Sequence, residues 1–188
     1  MAVKSLPDQA YLRQCFDYDP ETGVLTWRAR PIEHFPDRRR WLNWLARFPG
    51  KTAGWVARTA WGEYIQVGVS SKKYQAHRII WKMVTGDEPP EIDHRNNIGT
   101  DNSRNNLRPA EGFQNSRNVR KHKDGKSPFK GVHKHRDKWV ALIGINYKVR
   151  YLGLFATPEL AHAAYCKAAA ELHGEFANFG ENVHSTLP

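Results

Sequence analysis

Apolar positions fall into three runs of different rhythm along the 188 residues. From residue 6 to about residue 75 the pattern is a short helix followed by strands. Tyr11, Leu12, Cys15 and Phe16 recur at helical spacing, Asp17 to Gly23 is a turn sequence, and Val24-Leu25-Thr26-Trp27 reads as a strand. Trp61 to Val69 alternates, and Ser70-Ser71-Lys72 supplies a turn, which predicts a hairpin. The Trp- and Arg-rich stretch from Pro31 to Pro49 has no assignable period, although Trp41, Trp44 and Leu45 would share one packing face of a helix.

The second run covers residues 76–122. Ala76, Ile79, Ile80 and Met83 stand at i, i+3, i+4 and i+7, one buried helical stripe, with Gly86 placed to end the helix and Pro89-Pro90 to prevent its continuation. A polar, Asn-rich loop follows, then a second helix from Phe113 to Arg120. The third run starts after Lys123-Asp124-Gly125-Lys126-Ser127-Pro128, a linker composition. Phe129–Val132, Lys138–Ile143 and Val149–Phe155 are strand-like. Thr157 is a helix N-cap followed by Pro158 and Glu159, and the Ala-rich helix (Ala161, Ala164, Ala168) runs to near Gly174. Its small side chains let it lie close on a three-stranded sheet. The fold class predicted is α+β: a mixed N-terminal region, then a small three-stranded antiparallel sheet packed on one helix.

Charge narrows the partners. The chain has 29 Lys and Arg against 19 Asp and Glu, a net +10. Eleven of the basic residues lie between Phe113 and Arg150, opposed only by Asp124 and Asp137. A basic surface of this kind suits a polyanion, because each neutralised phosphate releases counterions. Cys15 and Cys166 are isolated and form no CxxC, so they cannot build a tetrahedral zinc site, and they suit a reducing compartment. No run approaches the ~20 apolar residues of a membrane span. A soluble, cytoplasmic protein with no membrane association and no evident protein partner is expected.

The chemistry is concentrated in Glu91-Ile92-Asp93-His94, Asp101-Asn102, Asn106-Leu107-Arg108, Gln114-Asn115 and Asn118. Asp93 offers an anionic oxygen and an Asn carbonyl a neutral one, the donors a hard cation such as Mg²⁺ prefers. His94 has the titration range of a general base. The ordered set resembles the HNH, or ββα-metal, nucleases, in the form found in phage and intron-encoded homing endonucleases. The resemblance implies a phosphodiester hydrolase acting on double-stranded DNA with one Mg²⁺ or Mn²⁺ ion per active site. His94 would be the general base and Asp93 and Asn115 the metal ligands. Asn106 would hold the loop between the two strands and orient His94. Arg78, in Ala76-His77-Arg78, and Arg117 would contact DNA. Asn118 is an alternative ligand one turn beyond Asn115, His77 reads first as a structural hydrogen-bonder, and His122 as solvent-exposed.

Behind this, Phe129–Val132, Lys138–Ala141, Tyr151–Phe155 and Ala161–Tyr165 resemble the DNA-binding domain of plant ethylene-response factors, the Apetala-two type. That resemblance implies a sheet entering the major groove, with Lys130, Arg136, Lys138, Arg150 and Tyr151 as contacts. Leu142 and Gly144 stand where plant domains carry Glu and Arg, the His133–Asp137 hairpin is one residue shorter, and Tyr151 replaces a Trp. The implied layout is a nuclease domain over residues 1–122 (core about 76–122), a linker at 123–128 and a DNA-binding domain at 129–180. The alternative is a DNA-binding regulator with an inactive nuclease fold.

Overall fold

Asp8 starts the first helix: its carboxylate accepts from the backbone N–H of Tyr11 at 2.7 Å, satisfying one of the donors that α1 (Gln9–Cys15) leaves unpaired. The computed structural model describes residues 5–60, 62–110, 127–145 and 148–180. It divides into two compact units, Met1–His94 with Ile98–Pro109, and Arg95–Asn97 with Ala110–Pro188.

In the first unit, α1 buries Leu12 and Cys15. Phe16 does not extend that stripe. The backbone turns extended there, and Phe16 opens β1 (Phe16–Tyr18), which pairs with β2 (Leu25–Trp27) so that Phe16 faces Trp27 with ring centroids 4.5 Å apart. The expected turn from Asp17 is therefore shorter, because Asp17 and Tyr18 belong to the strand.

The unassigned stretch holds a 3-10 turn (Ile32–His34) and α2 (Arg38–Leu45), capped by Asp37. Trp41, Trp44 and Leu45 are its half-buried face, as the spacing predicts. Trp44 meets Trp27 edge-on at 5.4 Å and stacks on Phe48. The stretch closes around Arg30, only 7% exposed, whose guanidinium carbon lies 4.8 Å from the Phe35 ring centroid and 5.3 Å from that of Trp44. Such cation–π contacts offset part of the cost of burying the charge.

Three strands follow, not one hairpin: β3 (Trp55–Thr59), β4 (Gly62–Val69) and β5 (Lys72–Gln75), antiparallel in that order. β3 escapes a periodicity search because it is an edge strand with no buried residue. Val67, Val69 and Tyr74 enter the core, and α3 (Ala76–Thr85) leaves the sheet directly, burying Ala76, Ile79, Ile80 and Met83. Full burial of Ile79 and Ile80 contributes about 1.5–3 kcal/mol each. Gly86 ends α3 at φ +83°, its N–H bonded to the Lys82 carbonyl. β6 (Glu91–His94) and β7 (Leu107–Ala110) then pair with each other, and Ile92 and Leu107 complete the core.

The second unit contains β8 (Val132–His135), β9 (Lys138–Ile145) and β10 (Lys148–Phe155), with β9 central, and α4 (Pro158–His173). The first strand lies later than the sequence predicts, and the residues expected to form the hairpin are largely in it. Gly131, at φ +71°, is a turn, and a Cβ there would come within 2.1 Å of the Tyr165 ring. Thr157 caps α4 as expected, accepting from Leu160 N. Ala161, Ala168 and Ala169 are buried under the sheet. Trp139 packs with Val132, Ala141 and Ala161, so it serves this core.

Ser70 and Ser71 join β4 to β5 with φ of +48° and +61°. Both are left-handed, the geometry of a turn that favours an Asn-Gly pair. The substitution Ser71→Gly, which leaves the Ser70–Tyr11 hydroxyl contact at 2.8 Å in place, should relieve about 1–2 kcal/mol of left-handed strain. Urea unfolding should show a higher midpoint at unchanged slope. An unchanged midpoint would show the turn to be unstrained.

Candidate active site

Asp93 and His94 are consecutive on β6, so alternation sends their side chains to opposite sides of the strand, and both are buried, at 4% and 6% exposure. A buried carboxylate requires a partner. Arg108 on β7 provides it: Nη2 lies 2.6 Å and Nε 2.8 Å from Asp93 Oδ2. The pairing of β6 with β7 thus fixes the orientation of Asp93.

His94 is held by a different route. Its Nε2 is 3.1 Å from Asn102 Oδ1. An amide oxygen only accepts, so this contact is a hydrogen bond in the tautomer whose Nε2 carries the proton, in which Nδ1 is the basic nitrogen. Asn102 is 2% exposed and is fixed from several directions. Its backbone carbonyl accepts from Tyr18 Oη at 2.9 Å, and the Arg104 N–H donates to the Pro20 carbonyl at 2.8 Å. Gly23, at φ +75°, lets the β1–β2 turn lie directly on this loop, where a Cβ would come within 2.4 Å of the Asn102 and Ser103 backbone. Asn106 donates through Nδ2 to the Asp101 carbonyl at 2.7 Å, a bond within the loop between β6 and β7. The side chain that bonds the His94 ring is that of Asn102, which the sequence marks only as a loop position beside Asp101.

Two more rings stand beside His94. His77, second residue of α3, meets it edge-on at 5.0 Å between centroids, and Tyr64 of β4 lies 5.9 Å from both. Burial lowers the pKa of His94, against opposing pulls from the Asn102 bond and from Asp93 and Asp101. Burial holds His77 well below the ordinary histidine value, and His94 and Arg78 add to it. Burial also raises Tyr64, helped by Asp93. The result is a buried imidazole biased toward its neutral form, next in sequence to an oriented carboxylate.

Arg78, read as a DNA contact, is engaged inside the unit. Its two terminal nitrogens donate to the Pro89 and Pro90 carbonyls at 3.1 and 3.2 Å, and Glu88 is 3.8 Å away. It shapes the approach to β6. Asn115, Arg117, Asn118 and His122, with the helix expected from Phe113, lie outside the described residues.

The candidates in the second unit do not form one face. Cross-strand partners share a side of the sheet. Tyr151 pairs with Leu142, and Lys138 with His135, on the side away from α4, together with His133. Arg150 pairs with Ile143, which is buried against α4, so it lies on the other side. Arg136 sits in the hairpin turn at φ +52°. Lys130 precedes β8 half-buried, and burial pulls its ammonium down to about 8.

Residues 74–117 match the family model described as HNH endonuclease. The matched segment contains α3, β6 and β7 and hence Asp93, His94, Asn102 and Arg108. It supports an HNH-type nuclease, a hydrolase with a nucleic-acid substrate. No curated protein matches the chain.

Replacing Arg108 by Met would remove both hydrogen bonds that the buried Asp93 Oδ2 accepts from the guanidinium. The unfolding free energy should fall by about 3–5 kcal/mol, read from denaturant titration, and an unchanged midpoint would show that Asp93 finds another partner. A second prediction follows from His77. Folded, it stays neutral, but the unfolded chain takes up a proton below about pH 6.5. Its contribution is complete above that pH and is lost as pH falls below it. His77→Gln should flatten the decline of the melting temperature between about pH 7.5 and about pH 5.5, and parallel declines would assign it to other groups.

Proposed function

We propose that the chain is a metal-dependent DNA endonuclease of the homing type, with a DNA-anchoring second unit. The observation that carries this is the pair Asp93–His94, each buried and each oriented by its own polar partner, within the segment matched by the HNH endonuclease model. The natural setting proposed is the cytoplasm of a bacterial host, with the gene of phage origin. Among the described residues no helix is long and apolar enough to cross a membrane.

The donor chemistry fits a hard cation. Among the described residues, no group of three or more His, Cys, Asp and Glu side chains is arranged to hold a metal ion. Mg²⁺ uses one or two carboxylates and completes its shell with water and phosphate oxygens, so one oriented carboxylate is a suitable start. Asp93 and Asn115 would hold the ion, Mg²⁺ or Mn²⁺. When bound, it supplies positive charge to the phosphate and the departing oxygen.

The chain's own residues do the rest. His94 Nδ1 takes the proton of the water that attacks phosphorus. Asn102 holds the ring by Nε2 and keeps the basic nitrogen in its tautomer. Arg108 prevents Asp93 from rotating. Breaking the bond to the 3′ oxygen leaves a 3′-hydroxyl and a 5′-phosphate. In the second unit, the side of the sheet carrying His133, Lys138 and Tyr151 would lie against double-stranded DNA.

Supercoiled-plasmid cleavage tests this reading. His94→Ala should slow cutting by about 10²–10⁴-fold, with DNA affinity nearly unchanged. Because a neutral His94 is the active form, the rate should be level at neutral pH and fall only below the ordinary histidine range of about 6.5. Robust cutting in excess EDTA, or by His94→Ala at the wild-type rate, would sink the mechanism. For the anchor, Lys138→Ala should flatten the salt dependence of binding by about one unit of log–log slope. Arg150→Ala, on the other side of the sheet, should change it less. The reverse order would place DNA on the α4 side.

A further inference from the structure

The outward face of the β3–β4–β5 sheet connects the candidate active site to an aromatic, basic groove. Cross-strand register puts Trp55 beside Gln66, Ala57 beside Tyr64, and Lys73 beside Gly68, all on one face. The opposite face sends Val67, Val69 and Tyr74 into the core. One end of the outward face is Tyr64, whose ring lies 5.9 Å from that of His94. Gln66, two residues further along β4, is roughly 7 Å away at ~3.4 Å per residue, and Trp55 is its neighbour across the ladder.

At this far end a groove of about 550 Å³ is lined by Trp27, Arg47, Phe48, Lys51, Trp55 and Gly68. Trp55 is 44% exposed and Phe48 40%. Lys73 Nζ stands 5.6 Å over the Trp55 ring. Gly68 is open: a Cβ there would meet nothing within 4 Å. Residues 38–58 contain six Lys and Arg (Arg38, Arg39, Arg40, Arg47, Lys51, Arg58) and no Asp or Glu. Arg40 pairs with Asp37 and Arg58 with Glu63, while Arg47 and Lys51 line the groove itself. Exposed rings interleaved with such cations are complementary to a nucleic-acid strand, whose phosphates meet the cations while a sugar or base lies on the ring.

We propose that this face and groove hold the DNA strand leading away from the scissile phosphate, with Trp55, Arg47, Lys51 and Lys73 as contacts. At ~3.4 Å per nucleotide along one strand, the Trp55 contact falls roughly three or four nucleotides from the bond cut at His94. The strand's position rests on the nuclease reading; the groove's affinity for DNA does not.

The test uses the full-length chain in a His94→Ala background, so that binding is read without cutting. A labelled duplex of about 30 base pairs, long enough to span several protein–phosphate contacts, is followed by fluorescence anisotropy across a salt series and by hydroxyl-radical footprinting. Arg47→Gln, Lys51→Gln and Lys73→Gln together should flatten the log–log salt slope by about two to three units and weaken binding at least tenfold. Trp55→Ala should weaken it about 5–100-fold, the range of one base–aromatic stack, and Trp55→Phe should restore most of that. All four side chains are exposed, so circular dichroism and melting should match the parent. Protection of nucleotides beside the cleavage position should disappear in the triple variant. Unchanged affinity, slope and footprint would overturn the groove. If the wild-type chain cuts nothing while these variants still lose DNA affinity, the nuclease reading fails and the groove stands. If it cuts and the variants bind like the parent, the groove fails alone.

Discussion

Burying the Asp93 carboxylate obliges the fold to bring a cation to it. A buried charge without a partner costs several kcal/mol, and the partner here, Arg108, lies fifteen residues further along the chain. Only the pairing of β6 with β7 closes that separation. The loop between them is then drawn into a fixed path, and Asn102 on that path is the residue that meets His94. One ion pair therefore ties together the strand register, the loop and the orientation of the candidate base.

The N-terminal elements serve the same loop. Tyr18 and Pro20 bond to the backbone of Asn102 and Arg104, and Gly23 allows the closest approach. The β1–β2 hairpin is thus a brace, itself anchored in the core by Phe16 and Trp27. On the other side, α3 delivers His77 and β4 delivers Tyr64, two rings packed beside His94, whose burial favours its neutral form. Arg78 ties Pro89 and Pro90 and so fixes where β6 begins. Most of the first unit is in this sense a frame for two adjacent side chains.

The second unit solves a different problem. A thin helix face of Ala161, Ala168 and Ala169 lets α4 lie close to the sheet, and the sheet's other side is left exposed. That side carries Tyr151, 59% exposed, and Val149, 72% exposed, with His133, His135 and Lys138. It is less cationic than the basic run in the sequence predicts, because alternation sends Arg150 and Lys148 to the α4 side.

Much was legible in the sequence because it is local. The α3 stripe, the Gly86 stop, the Thr157 cap and the adjacency of Asp93 and His94 depend on spacing over a few residues, where the backbone's own period decides. Edge strand β3 was not legible, since a strand with no buried residue has no clear burial period. Nor was the role of the Pro31–Pro49 stretch, which acquires order only by closing aromatic rings over Arg30. The sequence named Asp93, His94 and Asn106. The tertiary structure alone decided that Arg108 meets Asp93, that Asn102 meets His94, and that Trp55 shares a face with Tyr64. Those contacts join residues far apart in the chain, and their geometry is set by strand pairing and core burial, which no local pattern encodes.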